Sequence, residues 1–414
     1  MHPSACKDHR CSVDQPRRFC PGSGASISTI TGQRTRSIVK HRKQCWWCDA
    51  ITGTRRITPL PKEDRRLRRP GPAVISVDPR TDPRWRVLAA GPKGSLFTSP
   101  PWMRAVCDTY GFTPQARITA DADGHPTGGF AWVPVSDMCG DRLVSLPFSD
   151  RAEPLITDAA QWPYLALDAV GTDVPLKIRC LDASSPTCDP RFVRIDESAW
   201  HCTPLDAPLS EIRSSFRPAT RRNIATAERR GVHVDASTGM AAVRTYHRLH
   251  VSLRKHKYRL LAQPVDFFER IWQEFSAHDG IVTFLAYVDG EPVAGAVYLV
   301  WNDVLYYKFG ASLPATLPLR PNDAVTWSAL QWAAERGFRV VDWGLSALDQ
   351  QGLVAYKRKW ASAERRIVTV CTQHIEGSGT PNRVLGELTD LLTEDSVPDH
   401  VTERAGALLY RYFA

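Results

Sequence analysis

Several short stretches of the chain carry side chains whose types and spacing suit anion binding or proton transfer. Leu319-Arg320-Pro321-Asn322-Asp323 stands directly before a helix-like run. The free N–H groups and dipole of a helix start favour an anionic ligand, and Arg320 adds a guanidinium able to grip phosphate with two hydrogen bonds. Asn322 or Asp323 equally suits a plain N-cap. Asp342 follows Val340 and Val341 at the end of an expected strand, where open α/β sheets hold ligands. A carboxylate there either orients or deprotonates an amine, or closes a turn before Gly344. Asp150 follows a strand in the first half and is a candidate base facing an interdomain cleft. His250 shares a helical stripe with Tyr246 and Leu253, as an acid–base group or as a hydrogen-bonded core histidine. Arg217 and Arg221 are four apart; on one helix face their repulsion is relieved by a bound phosphate or carboxylate. Arg222, Arg229 and Arg230 read as a solvated face. No Ser-His-Asp order, no H-E-x-x-H and no phosphate-loop G-x-x-x-x-G-K occurs, so hydrolase, metalloprotease and NTPase readings lack support.

The elements that must position these residues come in two copies. Asp123-Gly124-His125-Pro126-Thr127-Gly128-Gly129 recurs 166 positions later as Asp289-Gly290-Glu291-Pro292-Val293-Ala294-Gly295. Each copy joins two strand-like runs, and Asp-Gly between such runs signals a hairpin. A third strand follows in each, over 142–146 and 304–309, then a helix over 158–170 and 323–336. Trp162 and Trp327 fall at matching places in these helices. A strand closes each unit, over 175–180 and 338–343. Turn chemistry, element order and spacing agree on a duplicated meander-helix-strand unit and an α/β fold with a mixed sheet and flanking helices. Before the second meander, helices are expected over 218–230, with Pro near its start and Gly231 past its end, over 240–255 and over 265–275. After it come a short helix over 353–360, a strand over 366–371 and helices over 382–393 and 401–412.

Composition bounds the rest. The chain has 414 residues, 43% hydrophobic and 23% charged, with 53 Lys plus Arg against 44 Asp plus Glu. That leaves room for two domains and excludes a collagen-like chain, a disulfide miniprotein and an integral membrane protein. The net charge of +9 belongs to one end: residues 1–73 hold 16 basic and 5 acidic side chains, and residues 74–414 hold 37 and 39. The first segment has Arg clusters, no sustained period and little apolar area, so it is expected to be a disordered tail or translated sequence upstream of a natural start near Val74. Its Cys45-Trp46-Trp47-Cys48 pair, with His9, His41, Cys6, Cys11 and Cys20, lacks the second regularly spaced knuckle of a zinc site. No metal is expected, no signal peptide is indicated, and a cytoplasmic location with reduced thiols follows. The remaining cysteines read as buried thiols.

In the second copy, helices, a three-stranded meander, helix, strand, short helix and strand succeed one another. The residues along it include Phe216-Arg217, Arg221 to Ile224, Asp289 to Val293, Tyr306 to Ser312, Leu319 to Asn322, Asp342-Trp343-Gly344, and Gly352-Leu353 with Tyr356-Lys357. With Phe97 to Pro100, Trp102 and Ser145 to Asp150 in the first half, this order resembles the FemAB-like branch of the GNAT acyltransferases, over about residues 95–365. The resemblance implies tandem GNAT-like domains, here over 74–205 and 206–375, followed by C-terminal helices over 376–414. It implies acyl transfer to an amine, with acyl-CoA or aminoacyl-tRNA as donor and a small molecule or cell-envelope precursor as acceptor. Nucleic acid is a partner only if the donor is a tRNA. The glycine-rich pyrophosphate loop of CoA-using members would fall between Gly310 and Ala324, where Leu319 to Asp323 stand instead.

Catalytic candidates are accordingly Asp342, Asp150 and His250; donor-binding candidates are Arg320, Asn322 and Asp323; substrate-binding candidates are Arg217, Arg221, Lys308, Tyr356 and Lys357. Lys357 resembles a family lysine that meets phosphate, and it equally suits a solvated surface beside Arg358 and Lys359. The expected function is N-acyl transfer from acyl-CoA through a ternary complex. Aminoacyl-tRNA-dependent transfer to a cell-wall precursor is the first alternative, and a catalytically inactive scaffold the second.

Overall fold

The computed structural model describes residues 72–372 and 379–414. The cysteines and histidines of the tail therefore lie outside the described residues. In the first half, β1 (Ala73–Val77), α1 (Pro83–Ala90) and α2 (Pro100–Tyr110) lead into a meander of β2 (Gln115–Ala120), β3 (Pro126–Asp137) and β4 (Gly140–Val144). A short β5 (Leu155–Ile156), then α3 (Trp162–Val170), β6 (Leu176–Leu181) and β7 (Val193–Pro204) follow. The second half opens with α4 (Leu209–Ser215), α5 (Pro218–Arg229), β8 (His233–Ser237), α6 (Met240–His256) and α7 (Val265–Ser276). Its meander is β9 (Ile281–Val288), β10 (Glu291–Trp301) and β11 (Val304–Ser312). Then come α8 (Pro321–Glu335), β12 (Val340–Ala347), α9 (Gln351–Arg358), β13 (Ala363–Cys371), α10 (Gly379–Leu392) and α11 (Asp399–Leu409).

All strands but β5, which pairs with β3 off the path, form one sheet in the order β1-β2-β3-β4-β6-β13-β7-β12-β11-β10-β9-β8. Both copies of the unit are present, and each ends in a parallel pair, β4 with β6 and β11 with β12. The two Asp-Gly sequences turn differently. Asp289 and Gly290 both have positive φ, 53° and 82°, as a two-residue type I′ turn requires. In the first copy only Gly124 does, and the Asp121 carboxylate ties the longer loop by accepting from Asp123 N and His125 N.

One apolar cluster, with Trp102, Tyr110, Val133, Tyr246, Phe267, Phe268 and Phe309, runs across both halves on one side of the sheet. Separate clusters lie around Trp162 in the first half and around Trp327, Trp343 and Trp360 in the second. The halves are stitched by β13, which pairs antiparallel with β6 on one side and β7 on the other. β7 was not legible as a strand: its first residues carry Arg194, Asp196 and Glu197, and only its second half is mostly buried. Other differences are local. β4 stops at Val144 because Leu146 and Phe148 take left-handed φ of 78° and 58°. β12 runs on to Ala347, so Asp342 stands inside a strand rather than at its end. Helices α1 and α2 carried readable starts, Asp82-Pro83 and Ser99-Pro100, whose side chains accept from Arg84 N and Trp102 N.

The six cysteines of the described residues form no disulfide; Cys107, Cys180, Cys202 and Cys371 are buried as expected, while Cys188 is exposed and Cys139 half-buried. No described helix is long and apolar enough to cross a membrane. Val368, fully buried in β13 at the junction, tests the stitching. Val368→Ala is expected to cost about 2–3 kcal/mol. Urea unfolding followed by tryptophan fluorescence and far-UV circular dichroism should keep coincident midpoints, because both halves share the strand.

Candidate functional site

β11 and β12 pair only through Val304–Tyr306 and Val340–Asp342, and then part. Into that gap reaches Asp150, from the loop after β4. Its Oδ1 accepts from Lys308 Nζ at 2.7 Å and its Oδ2 from the Leu345 peptide N–H at 2.9 Å. Burial pushes the Asp150 carboxyl up, but Lys308 beside it and the Leu345 N–H outweigh this and hold it below the ordinary value. Gly344 has φ +68°, and a Cβ there would collide with Asp150 Oδ2. The glycine is required twice over, by backbone and by space.

Lys308 also donates to Phe148 O at 3.3 Å, and its ammonium lies 4.9 Å and 5.0 Å from the ring centres of Phe97 and Trp102. Trp102 in turn donates to Ser149 Oγ at 2.8 Å. Lys357, on α9, enters the gap with Nζ 2.7 Å from Leu345 O. It is 4% exposed, and burial lowers its ammonium to about 8 against the pull of Asp150 and Asp342. Asp342 is 2% exposed and raised by burial, with Arg151 opposing. Trp200 Nε1 and Gly344 N both donate to its Oδ1, at 2.9 Å and 2.7 Å. Arg151 pairs with Glu153. The cluster therefore offers one carboxylate with both oxygens engaged, one with its proton affinity raised, and one ammonium with donors to spare. That set can take a proton from a nucleophile and meet a developing oxyanion.

A second group gathers at the start of α8. Arg320 is the N-cap, at φ +65° with an exposed side chain. Asn322 and Asp323 thus lie in the first turn, and neither is the cap. Asn322 donates to Ser312 Oγ at 3.1 Å, and its carbonyl accepts from the Tyr356 hydroxyl at 3.0 Å. Asp323 is buried and accepts from Lys359 Nζ at 2.5 Å and Asn223 Nδ2 at 3.4 Å. These bonds lock α5, α8 and the end of α9 together. Arg217 and Arg221 do not share a helix face, since Arg217 is the extended N-cap of α5. Arg221 donates to Ser214 O and Phe216 O, both at 2.6 Å, closing the end of α4.

His250 is held elsewhere. It is buried against Phe268 and Phe309, bonded to Gln263 Oε1 at 2.7 Å, and burial drives its imidazolium down to about 3. Sequence reading thus named Asp150, Lys308, Asp342 and Lys357 one by one, and the structure brings them together; it missed Leu345, Trp200 and Arg151. A peptide N–H carries no sequence signal, and Trp200 sits on the strand that was not legible.

Residues 214–358 match the model of the acetyltransferase (GNAT) domain. The crystal structure of FemX superposes with TM-score 0.56 at 13% identity, over 72% of this chain and 96% of that one. Likeness is lower to a tandem GNAT protein from the clavulanic acid biosynthesis pathway, TM-score 0.44 at 11% identity over 72% and 97%. The same holds for L-PGS from Bacillus licheniformis, TM-score 0.42 at 14% identity over 67% and 88%. No curated protein sequence matches significantly. The resemblance to the FemAB-like GNAT branch and the tandem GNAT-like fold stand on the domain match and the fold shared with FemX.

Gly344→Ala is expected to destabilise the fold by about 2–4 kcal/mol, from left-handed backbone and the clash with Asp150. In a urea double-mutant cycle, adding Asp150→Ala should cost less in this background than in the parent, because the colliding carboxylate is gone.

Proposed function

With residues 214–358 an acetyltransferase (GNAT) domain, we propose that the chain moves an acyl group from acyl-CoA to an amine acceptor held between the two halves of the sheet. The observation that carries this reading is the Asp150–Lys308–Lys357–Asp342 cluster in the gap between β11 and β12. The neutral amine attacks the thioester carbonyl, the new C–N bond forms as the carbonyl electrons move onto oxygen, and the tetrahedral oxyanion then collapses, breaking the C–S bond with its electron pair leaving on sulfur. Asp342 takes the amine proton, through Oδ2, the oxygen not committed to Trp200 and Gly344. Lys357 faces the oxyanion of the tetrahedral state and returns a proton to the thiolate. Asp150 is a positioning residue: Lys308 and the Leu345 N–H occupy both its oxygens, and it keeps Lys357 charged against burial. His250 is given no step.

For the donor, the start of α8 fits an anion. Arg320 is exposed there, and the Asn322 N–H lies in the first turn, where no intrahelical acceptor exists. These two would hold a donor phosphate. Pro321 removes one peptide donor, Asp323 adds negative charge already matched by Lys359, and a short helix with internal Pro318 replaces a glycine cradle. That chemistry suits a single phosphate better than a pyrophosphate, and it favours a second reading, in which the donor is the aminoacyl ester of a tRNA and the acceptor a cell-wall precursor amine.

Two measurements test this. Thiol release from acetyl-CoA with a panel of small amines is expected to fall about 100-fold or more in Asp342→Asn and Lys357→Met, assayed at temperatures where far-UV circular dichroism shows each variant folded. Because the Lys357 ammonium is lost as pH rises through about 8, the wild-type rate should decline above that pH; a flat profile to pH 10 sinks the role. Calorimetric titration with CoA and with a mixed aminoacyl-tRNA pool separates the donors. Arg320→Ala should weaken whichever one binds by about tenfold, the order expected for one phosphate contact.

A further inference from the structure

The loop that carries Asp150 into the β11–β12 gap holds a conformation its own residues disfavour. Leu146 and Phe148 have φ of 78° and 58°, left-handed backbone that non-glycine residues keep only where their surroundings impose it. Trp102 Nε1 donates to Ser149 Oγ at 2.8 Å, and Lys308 Nζ donates to Phe148 O at 3.3 Å. The Phe148 ring packs on Tyr110 and Tyr410, with ring centres 4.6 Å and 5.3 Å away. Tyr110 and Trp102 belong to α2 and Lys308 to β11. Tyr410 comes from the far end of the chain.

Tyr410 is buried and stacks on Tyr110, with ring centres 6.1 Å apart and 28° between the planes. It follows directly on α11, and α11 is fastened to the second half. Lys255 of α6, 1% exposed, donates to Val397 O at 2.5 Å and to Asp399 Oδ1 at 2.6 Å, beside the helix start. At Gly406 a Cβ would collide with Ala262 O, so the helix lies directly on the loop between α6 and α7. Beyond Tyr410, Ala414 O accepts from Arg142 at 3.0 Å, and Arg142 is itself paired with Asp137.

The two halves therefore reach into each other. The first sends Asp150 across to Lys308 and Leu345, and α11, anchored on the second, brings Tyr410 back against Phe148, two residues before Asp150. Local backbone preference works against the loop, so the ring that covers Phe148 from outside its own half bears on where Asp150 stands.

We infer that Tyr410 is a positioning residue: its ring braces the left-handed loop at Phe148 and so keeps Asp150 in the β11–β12 gap beside Lys308, the Leu345 N–H and Lys357. The brace is a matter of packing, and its effect on rate rests on the acyl-transfer reading.

Hydrogen–deuterium exchange resolved to single residues in the full chain follows the Leu345 amide, whose acceptor is Asp150. Tyr410→Ala is expected to speed that exchange at least about tenfold, because local opening becomes easier. Tyr410→Phe keeps the ring and should exchange like the wild type. Tyr410→Leu keeps apolar bulk without the ring and should change in the same direction, so it stands in for Tyr410→Ala where that variant does not fold. Val368→Ala, in the separate cluster around Trp162, controls for lost stability alone.

The second readout is the pH dependence of thiol release. Lys357 is faced by Asp150 from the loop, Asp342 from β12 and Lys308 from β11, and His201 of β7 lies in its field. Asp150 is one of the charges that hold the Lys357 ammonium up, so in Tyr410→Ala the alkaline decline of the rate should move to lower pH. In the same variant kcat should fall about tenfold, with KM for the donor within about twofold of the wild type. Leu345 exchange no faster in Tyr410→Ala than in Val368→Ala, equally fast exchange in Tyr410→Phe, or faster exchange with an unmoved pH profile overturns the proposal. Faster exchange in Tyr410→Ala together with a wild type that transfers no acyl group upholds the brace and removes the acyl-transfer reading.

Discussion

A carboxylate contributed by one half of the sheet fills the gap between two parting strands of the other half, and much of the molecule is arranged around that contact. Where β11 leaves β12, the peptide groups of β12 lose their ladder partner, and buried peptide groups are almost never left unpaired. Leu345 N–H finds Asp150 and Leu345 O finds Lys357. Side chains thus complete the hydrogen bonding of a strand. Taking these charges out of water is expensive, and such pairs persist only where geometry and extra hydrogen bonds recover the loss. Here the recovery comes from Lys308 with its aromatic neighbours Phe97 and Trp102, and from Gly344, which alone leaves room for the carboxylate.

That contact requires the two halves to hold a fixed register, and the sheet supplies it. β13 comes last among the strands in sequence but lies between β6 and β7, so the final strand of the described chain joins two strands from its middle at the centre of the sheet. The same apolar cluster covers both halves from one side, through α2 against α7 and α6 against the second meander. An interface made of one continuous ladder leaves little freedom for the halves to rock. The loop 145–150, with its two left-handed residues, is the element through which the first half reaches the site.

Duplication gave each half the same parallel pair and the same split, and the two copies then diverged in charge. The second copy carries a balanced set of two carboxylates and two lysines. The first carries a lysine and an arginine with hydroxyls. The loop after β4 sends Asp150 away from its own half to pair with Lys308 in the second split.

Much of this architecture was legible in the residues themselves. Period-two runs around Asp-Gly turns, proline and glycine at helix boundaries, and the repeat with its paired tryptophans established the mixed α/β fold and the tandem order, because these signals are local and need only a few neighbouring residues. Asp150, Lys308, Asp342 and Lys357 were also recognisable as chemistry-bearing side chains. Which of them act together was not, because their proximity depends on β13 crossing to β6 and on β11 parting from β12, neither of which is encoded in any short stretch. The same reason explains His250 and Arg221. Their types allowed catalysis or phosphate binding, and the fold gave one to Gln263 and the core and the other to the carbonyls ending α4. Residue type limits what a side chain can do, and long-range packing decides what it faces, because burial and partners are properties of the assembled sheet and not of the chain.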